Sequence, residues 1–277
     1  MKQAARNSIL LLCSIALGVA VSVGLCLAHP GHGPGGAAGS TYADAIAALE
    51  ANTASFLVDA AKQPTSWTPL ESAANSWLER AHLTGNYDDF AHADTLFGRA
   101  FAIAPKGSGP MLSRAAFELS IHRLDAAEEM VRRQEGAAIL TANTKLAIDG
   151  VRADLSFERG DYAAAKKLID RLTRDDRSST NNFRLANYEW HLGDMARADR
   201  LLAEAESLYA GSSDQYRAWI RAQRGDLAVD RGRYDEALER YREAEELFSG
   251  WWANYARTAQ VFALKGQREQ AIFAYQD

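Results

Sequence analysis

Residues 160–165 read Gly-Asp-Tyr-Ala-Ala-Ala, and residues 232–237 read Gly-Arg-Tyr-Asp-Glu-Ala. In both, an alanine stands five places beyond a glycine and a tyrosine two places beyond it. Ala127, Ala198 and Ala271 stand likewise five places beyond His122, Gly193 and Gly266. Ala93 is the same alanine, stretched to eight places beyond Gly85. The six alanines are 34, 38, 33, 39 and 34 residues apart, a period that marks a stacked array of short repeated units.

Other columns keep step with the alanine. Seven residues before each turn stands Ala115, Ala153, Ala186, Gly225 or Ala259, with Leu78 in the first unit. Two residues after it come Tyr87, Leu124, Tyr162, Met195 and Tyr234, with Arg268 in the last. Four residues after the alanine are Phe97, Val131, Ile169, Leu202, Tyr241 and Tyr275. Seven after it, three of five are again alanine, Ala100, Ala205 and Ala244, with Gln134 and Leu172 in the other two. Small residues on one face let two helices approach, and a large one beside them fills the groove. Glycine at the turn tolerates the positive φ that a tight reversal needs.

These columns resemble the tetratricopeptide repeat, over roughly residues 71–277. The departures are the stretched first unit, His122 in place of glycine, and a last unit that stops at Asp277. The resemblance implies an all-α fold: a right-handed α-solenoid of antiparallel helix pairs, with a concave groove lined by the first helix of each pair. The pattern predicts first helices near 70–83, 109–121, 145–158, 180–192, 216–231 and 252–265. Second helices fall near 88–103, 125–135, 162–173, 195–209 and 235–248, and from 268 onward. A further helix over about 41–62, capped by Ser40 or Thr41, leads into the first pair.

The chain is 277 residues long and 47% hydrophobic, enough for a substantial core, and its six prolines and sparse β-branched residues favour helix. Lys2 and Arg6 precede an apolar run from Ile9 to Ala28, so residues 1–28 read as a secretory signal cleaved after Ala28. The protein is then exported, periplasmic or extracellular. An uncleaved residue 9–28 segment is long enough to anchor it in a membrane instead. Both cysteines, Cys13 and Cys26, lie inside the signal, so the mature chain has no disulfide and no thiol nucleophile. The net charge of −5 falls to −7 without Lys2 and Arg6, which gives no footprint for nucleic acid. Residues 29–40 hold five glycines and two prolines and read as a flexible linker. The compact part is therefore residues 41–277, about six pairs with the last incomplete. Phe262, Ile272, Phe273 and Tyr275 would lie on an open final face. Either that face docks on a partner or a second copy, or the sequence is a piece of a longer product, which is the preferred reading.

Catalytic signatures are missing from the sequence. Asp88-Asp89, Glu128-Glu129, Asp175-Asp176 and Glu245-Glu246 are adjacent pairs, and neighbours on a helix diverge by about 100° rather than converge. No phosphate loop, nucleophile elbow or His-Glu-x-x-His occurs. The expectation is a protein without enzymatic activity. After cleavage, the His29 amine with the His29 and His32 imidazoles could hold Cu(II) or Ni(II), although a glycine-rich tail offers no fixed geometry. His82, His92, His122 and His191 have no metal spacing and read as surface or groove residues.

Periodicity and the resemblance together place Phe183, Asn187, Trp190 and His191 on the concave side of the fourth pair. Trp219, Gln223, Asp226 and Asp230 follow in the fifth, and Arg257 and Gln260 in the sixth. Asp154, Phe157 and Glu158 are their equivalents in the third. Rings beside amides and acids suit an extended peptide. The alternative is that Trp190 and Trp219 fill the contacts between neighbouring units. Family members that grip a terminal carboxylate use two lysines, and Phe183 and Ala253 stand in those places, so that mode is not expected. The function so read is an exported scaffold holding a protein or peptide in its groove. The alternatives are a metal-linked accessory protein or a subunit that self-associates through its C-terminal face.

Overall fold

The computed structural model describes residues 41–276, which form thirteen α-helices and, among the described residues, no strand. The signal at 1–28, the linker at 29–40, His29 and His32 lie outside the described residues. Helix α1 spans Tyr42–Lys62. Its cap is Thr41, whose Oγ1 accepts the Asp44 N–H at 3.2 Å while the Asp44 carboxylate accepts the Thr41 N–H at 2.9 Å.

Six helix pairs follow. They are α2 Thr68–Thr84 with α3 Tyr87–Ile103, α4 Met111–Ser120 with α5 Leu124–Glu135, and α6 Ala142–Glu158 with α7 Tyr162–Asp175. Then come α8 Ser179–His191 with α9 Met195–Leu208, α10 Asp214–Asp230 with α11 Tyr234–Leu247, and α12 Trp252–Leu264 with α13 Arg268–Gln276. Among the described residues, no helix is long and apolar enough to cross a membrane. The described chain forms two compact units. The first is residues 48–184, and the second is residues 41–47 with 185–276.

In the first unit, α2 packs on α3, α4 on α5 and α6 on α7, while α5 leans on α6 and the first helices α2, α4 and α6 touch in sequence. The second unit repeats this with α10 on α11, α12 on α13, α9 on α10 and α11 on α12. The repeat columns make these contacts. Ala93, Ala127, Ala165, Ala198 and Ala237 are fully sealed, as are Ala115, Ala153, Ala186 and Ala259. Phe97, Val131, Ile169, Leu202 and Tyr241 fill the space they leave. Each large side chain so buried contributes about 1.5–3 kcal/mol. The last copy departs: Tyr275 turns outward and is exposed, and Ala274 is buried beside Ala271 instead. Among the described residues no later helix packs over α13.

The turns explain the glycines. Gly160, Gly193, Gly232 and Gly266 have φ of 76°, 91°, 69° and 75°. In each turn the next residue's N–H reaches back to a carbonyl five residues earlier, as Asp161 does to Ser156 at 2.9 Å. This is the Schellman closure, which needs a left-handed residue. His122 adopts the same conformation at φ 57°, with Arg123 bonded to Glu118 at 2.8 Å. Aspartate after the glycine has a separate task. Asp161 and Asp194 cap α7 and α9 by accepting the N–H of Ala164 and Arg197, each at 3.0 Å. The three extra residues of the first unit do not lengthen its turn. They extend α3 at its start, leaving Tyr87 exposed and Ala93 still sealed.

Arginines couple successive pairs in two ways. In the first, an arginine eight residues before a turn reaches the acid that follows the marker alanine of the preceding pair. Arg114 meets Asp94 at 2.6 Å, Arg152 meets Glu128 at 3.6 Å with Glu135 at 2.7 Å, and Arg224 meets Asp199 at 2.7 Å. The two junctions without this rung, between the third and fourth pairs and between the fifth and sixth, carry the second. There, an aspartate six residues before its turn pairs with an arginine nine residues before the next turn: Asp154 with Arg184, and Asp226 with Arg257.

Candidate binding face

The second kind of rung lies on the first-helix columns, where the sequence places the binding residues. In the first unit, Arg184 Nε donates to both Asp154 oxygens at 3.0 and 3.2 Å, and Nη2 donates to Oδ2 at 3.1 Å. Its Nη1 donates to Asn181 Oδ1 at 2.9 Å. Gly150 makes room for the guanidinium, since a Cβ there would stand 2.9 Å from Arg184 Nη2. Burial raises the Asp154 pKa, and Arg184 opposes that rise by its charge and its hydrogen bonds. One turn along, Glu158 lies 3.6 Å from His122 Nδ1. Burial raises its pKa, the His122 side chain lowers it, and Asp154 adds to the rise.

In the second unit, Asp226 accepts Arg257 Nε at 3.2 and 3.1 Å and the Tyr241 hydroxyl at 2.7 Å. Gln223 Nε2 approaches the same carboxylate at 3.5 Å. Arg257 also donates Nη1 to the Ala253 carbonyl at 3.1 Å and lies over the Trp251 ring at 5.3 Å. Burial, the charge of Asp226 and the hydrogen bond to it push the Tyr241 hydroxyl far above the phenol range, so it stays protonated and donates to Asp226. Gly225 is required beneath this ring, because a Cβ would lie 2.3 Å from Tyr241 Cε1. At the edge of the network, Trp190 Nε1 donates to Asp230 Oδ2 at 2.8 Å. Desolvation of the Asp230 carboxyl raises its pKa, the Trp190 bond lowers it, and the Asp226 charge raises it further.

The residues expected to line a groove therefore divide. Phe183, Trp219 and Gln223 are enclosed, and Trp219 stacks on Tyr216 at 5.8 Å between ring centres. Trp190 is buried, with its indole N–H turned to Asp230. Asn187, Asp226, Arg257 and Gln260 are half-buried, while His191 and Asp230 are exposed. Arg257 is committed to Asp226, which removes it as a clamp for a terminal carboxylate. Of the helical histidines, His92 stacks on Trp77 at 4.5 Å and His122 sits at its turn. His82 is half-buried. Its ring meets Phe90 edge-on at 5.7 Å, and its Nε2 is buried with no hydrogen-bond partner.

Among the described residues, no group of three or more His, Cys, Asp or Glu side chains is placed to hold a metal ion. Sequence reasoning missed Arg184 and Glu79. Both were legible, since Arg184 stands at the position of Arg257, and Glu79 at that of Asp154 and Asp226. On α13, Ile272, Phe273 and Tyr275 are exposed, and an open depression of about 580 Å³ is lined by Phe262, Glu269, Gln270, Phe273 and Ala274.

Residues 176–249 match the family model described as tetratricopeptide repeat. No curated protein matches the sequence. Among solved structures, the chain is similar to the APC/C hetero-tetramer Cut9-Hcn1, at 14% identity and a TM-score of 0.58, over 83% of this chain and 44% of that one. It is also similar to a thermophilic TPR protein of Thermus thermophilus, at 18% identity and a TM-score of 0.51, over 69% of this chain and all of the other. At these identities the likeness is one of fold. The tetratricopeptide repeat family is matched at residues 176–249, and the same columns run through all six pairs, so the fold is one of tetratricopeptide-type helix pairs.

Proposed function

We propose that this protein is an exported scaffold that holds a protein or peptide partner on the first-helix face of its pairs, and that it catalyses no reaction. One observation carries the reading. The alanine columns are spent on helix packing, whereas the first-helix columns of the second unit leave His191 and Asp230 exposed and Asn187 half-buried beside a fixed polar network. Side chains held by Trp190, Tyr241 and Arg257 are ordered before a partner arrives, so binding costs little conformational entropy. A solved relative in fold is itself a protein complex, Cut9-Hcn1, which supports a partner-binding role.

Selection of displayed peptides against the protein tests this. Peptides recovered on the native chain should bind folded Asn187→Ala and Asp230→Ala variants about tenfold more weakly, close to 1.4 kcal/mol each; Asn187→Ala should leave the melting temperature unchanged, whereas Asp230→Ala also loses the Trp190 bond and should lower it. Equal binding by both folded variants would remove the reading. Export rests on the basic head and apolar run of residues 1–28, and the mass of the secreted protein would begin at His29. A second reading, self-association through α13, is favoured by the exposure of Ile272, Phe273 and Tyr275. Light scattering that stays monomeric at high concentration would end it.

A further inference from the structure

We propose that the junction between the first and second pairs is a receptor for an arginine side chain of a peptide partner, which completes at Glu79 the rung that Arg184 and Arg257 complete elsewhere. The inference rests on the first-helix face being the binding face. Three carboxylates stand six residues before a turn: Glu79, Asp154 and Asp226. Two of them are neutralised by an arginine nine residues before the next turn. At the first junction that position is Ser113, which is buried and already engaged. Its hydroxyl donates to Glu71 Oε1 at 2.5 Å and accepts from Asn75 at 3.5 Å. Glu79 is left half-buried, with no hydrogen bond or ion pair among the described residues.

The surroundings offer no substitute. Arg80 is held by Asp89 of α3 and Glu50 of α1. Arg114 of α4 is held by Asp94 of α3 and by Glu118 on its own helix. His92 of α3 lies against Trp77. One turn along from Glu79, His82 is kept neutral by burial, its pKa lowered to about 4, and its buried Nε2 lacks a partner. The site therefore holds an acid without a counter-charge. A guanidinium supplies both charge and several N–H donors in a planar fork. The half-buried position keeps the carboxyl within reach of solvent and of a peptide side chain.

Protonation gives the proposal a signature. Burial raises Glu79 to a pKa of about 7. Its folded pKa lies above its unfolded value, so its stabilising contribution is complete below the unfolded pKa and is lost as pH rises through about 7. An arriving cation favours the ionised form, so binding below pH 7 expels a proton and tightens as pH rises.

Calorimetric titration of hexa-arginine and of hexa-citrulline, in two buffers of different ionisation heat, reads this directly. Hexa-arginine should bind with proton release at pH 6.5, and hexa-citrulline should not bind. Glu79→Gln should weaken binding about tenfold and abolish the proton release, while Glu129→Gln, the same substitution at an exposed position, should preserve both. Ser113→Arg should fill the rung from within, block the peptide and stabilise the fold most above pH 7. Equal behaviour of Glu79→Gln and Glu129→Gln, or undiminished binding by folded Ser113→Arg, would overturn the proposal. Either result leaves the broader reading to its own test at Asn187 and Asp230.

Discussion

The rung Asp154–Arg184 in one unit and the rung Asp226–Arg257 in the other use the same two repeat positions and end as different devices. In the first, the side chains are 5% and 8% exposed, and three N–H bonds converge on the carboxylate. Gly150 leaves space for the whole guanidinium. In the second, both side chains are 14% exposed, Ala222 stands where Gly150 would, and Arg257 reaches Asp226 through Nε alone. The bond it forgoes is replaced from the second helix. Ala153 and Ile169 of the third pair become Gly225 and Tyr241 in the fifth, so a ring fits where a methyl was and its hydroxyl reaches Asp226. A repeat can thus keep its ionic staple while changing what surrounds it. The sealed version serves packing, and the more open one borders Asp230 and Trp190 at the surface.

The largest expected effect separates the two. Asp154→Asn leaves Arg184 buried with no counter-charge and should cost about 3–5 kcal/mol in denaturant unfolding. Asp226→Asn leaves Arg257 nearer to water and keeps an acceptor for Tyr241, so a loss of about 1.5–3 kcal/mol is expected. Equal losses would mean that the two rungs are energetically alike and the contrast is only geometric. Next comes Gly225→Ala. The new methyl overlaps the Tyr241 ring, and the overpacking should cost about 1–3 kcal/mol. Adding Tyr241→Ile rebuilds the Ala153/Ile169 arrangement and should recover most of that loss, with the remainder reporting the missing bond to Asp226. No recovery in the double variant would show that volume is not what ties these two positions together.

How far the sequence carries this picture depends on what each residue answers to. The alanine, its apolar partner and the turn glycine answer to helix geometry, which repeats, so their spacing alone yields all six pairs and the helix ends within a few residues. His122 was visible as an exception, and the structure shows it carrying the left-handed backbone itself. The binding face is less legible. Trp219 and Gln223 lie in the predicted columns yet are enclosed, because exposure depends on what neighbouring helices place over a column and periodicity records only its direction. The rungs lie between these cases. Asp226 and Arg257 were picked out singly as groove residues, whereas their pairing required reading one column against another across a junction.

A smaller effect probes the space around Arg184. Gly150→Ala gains helix propensity, about 0.8–1.0 kcal/mol by host measurements, but places a methyl 2.9 Å from Nη2. The guanidinium is the end of a flexible side chain and can turn toward the single-nitrogen approach that Arg257 uses. The expected outcome is a change within about 1 kcal/mol, with the Nη2 bond lost and the Nε bonds kept, which a crystal structure of the variant would display. A loss of several kcal/mol would instead make Gly150 indispensable to the sealed rung.

The smallest effect belongs to the other class of rung. Arg152 is bidentate to Glu135, at 2.8 and 2.7 Å, in partly exposed surroundings where water competes for both charges. Arg152→Met preserves most of the aliphatic stem and removes the charge, so a cost of about 0–1 kcal/mol is expected, shrinking further in high salt. Asp154→Asn should show no such salt dependence, since its partner lies away from solvent. If Arg152→Met proved as costly as Asp154→Asn, burial would not be what ranks these junctions, and the distinction between sealed and open rungs would lose its physical basis.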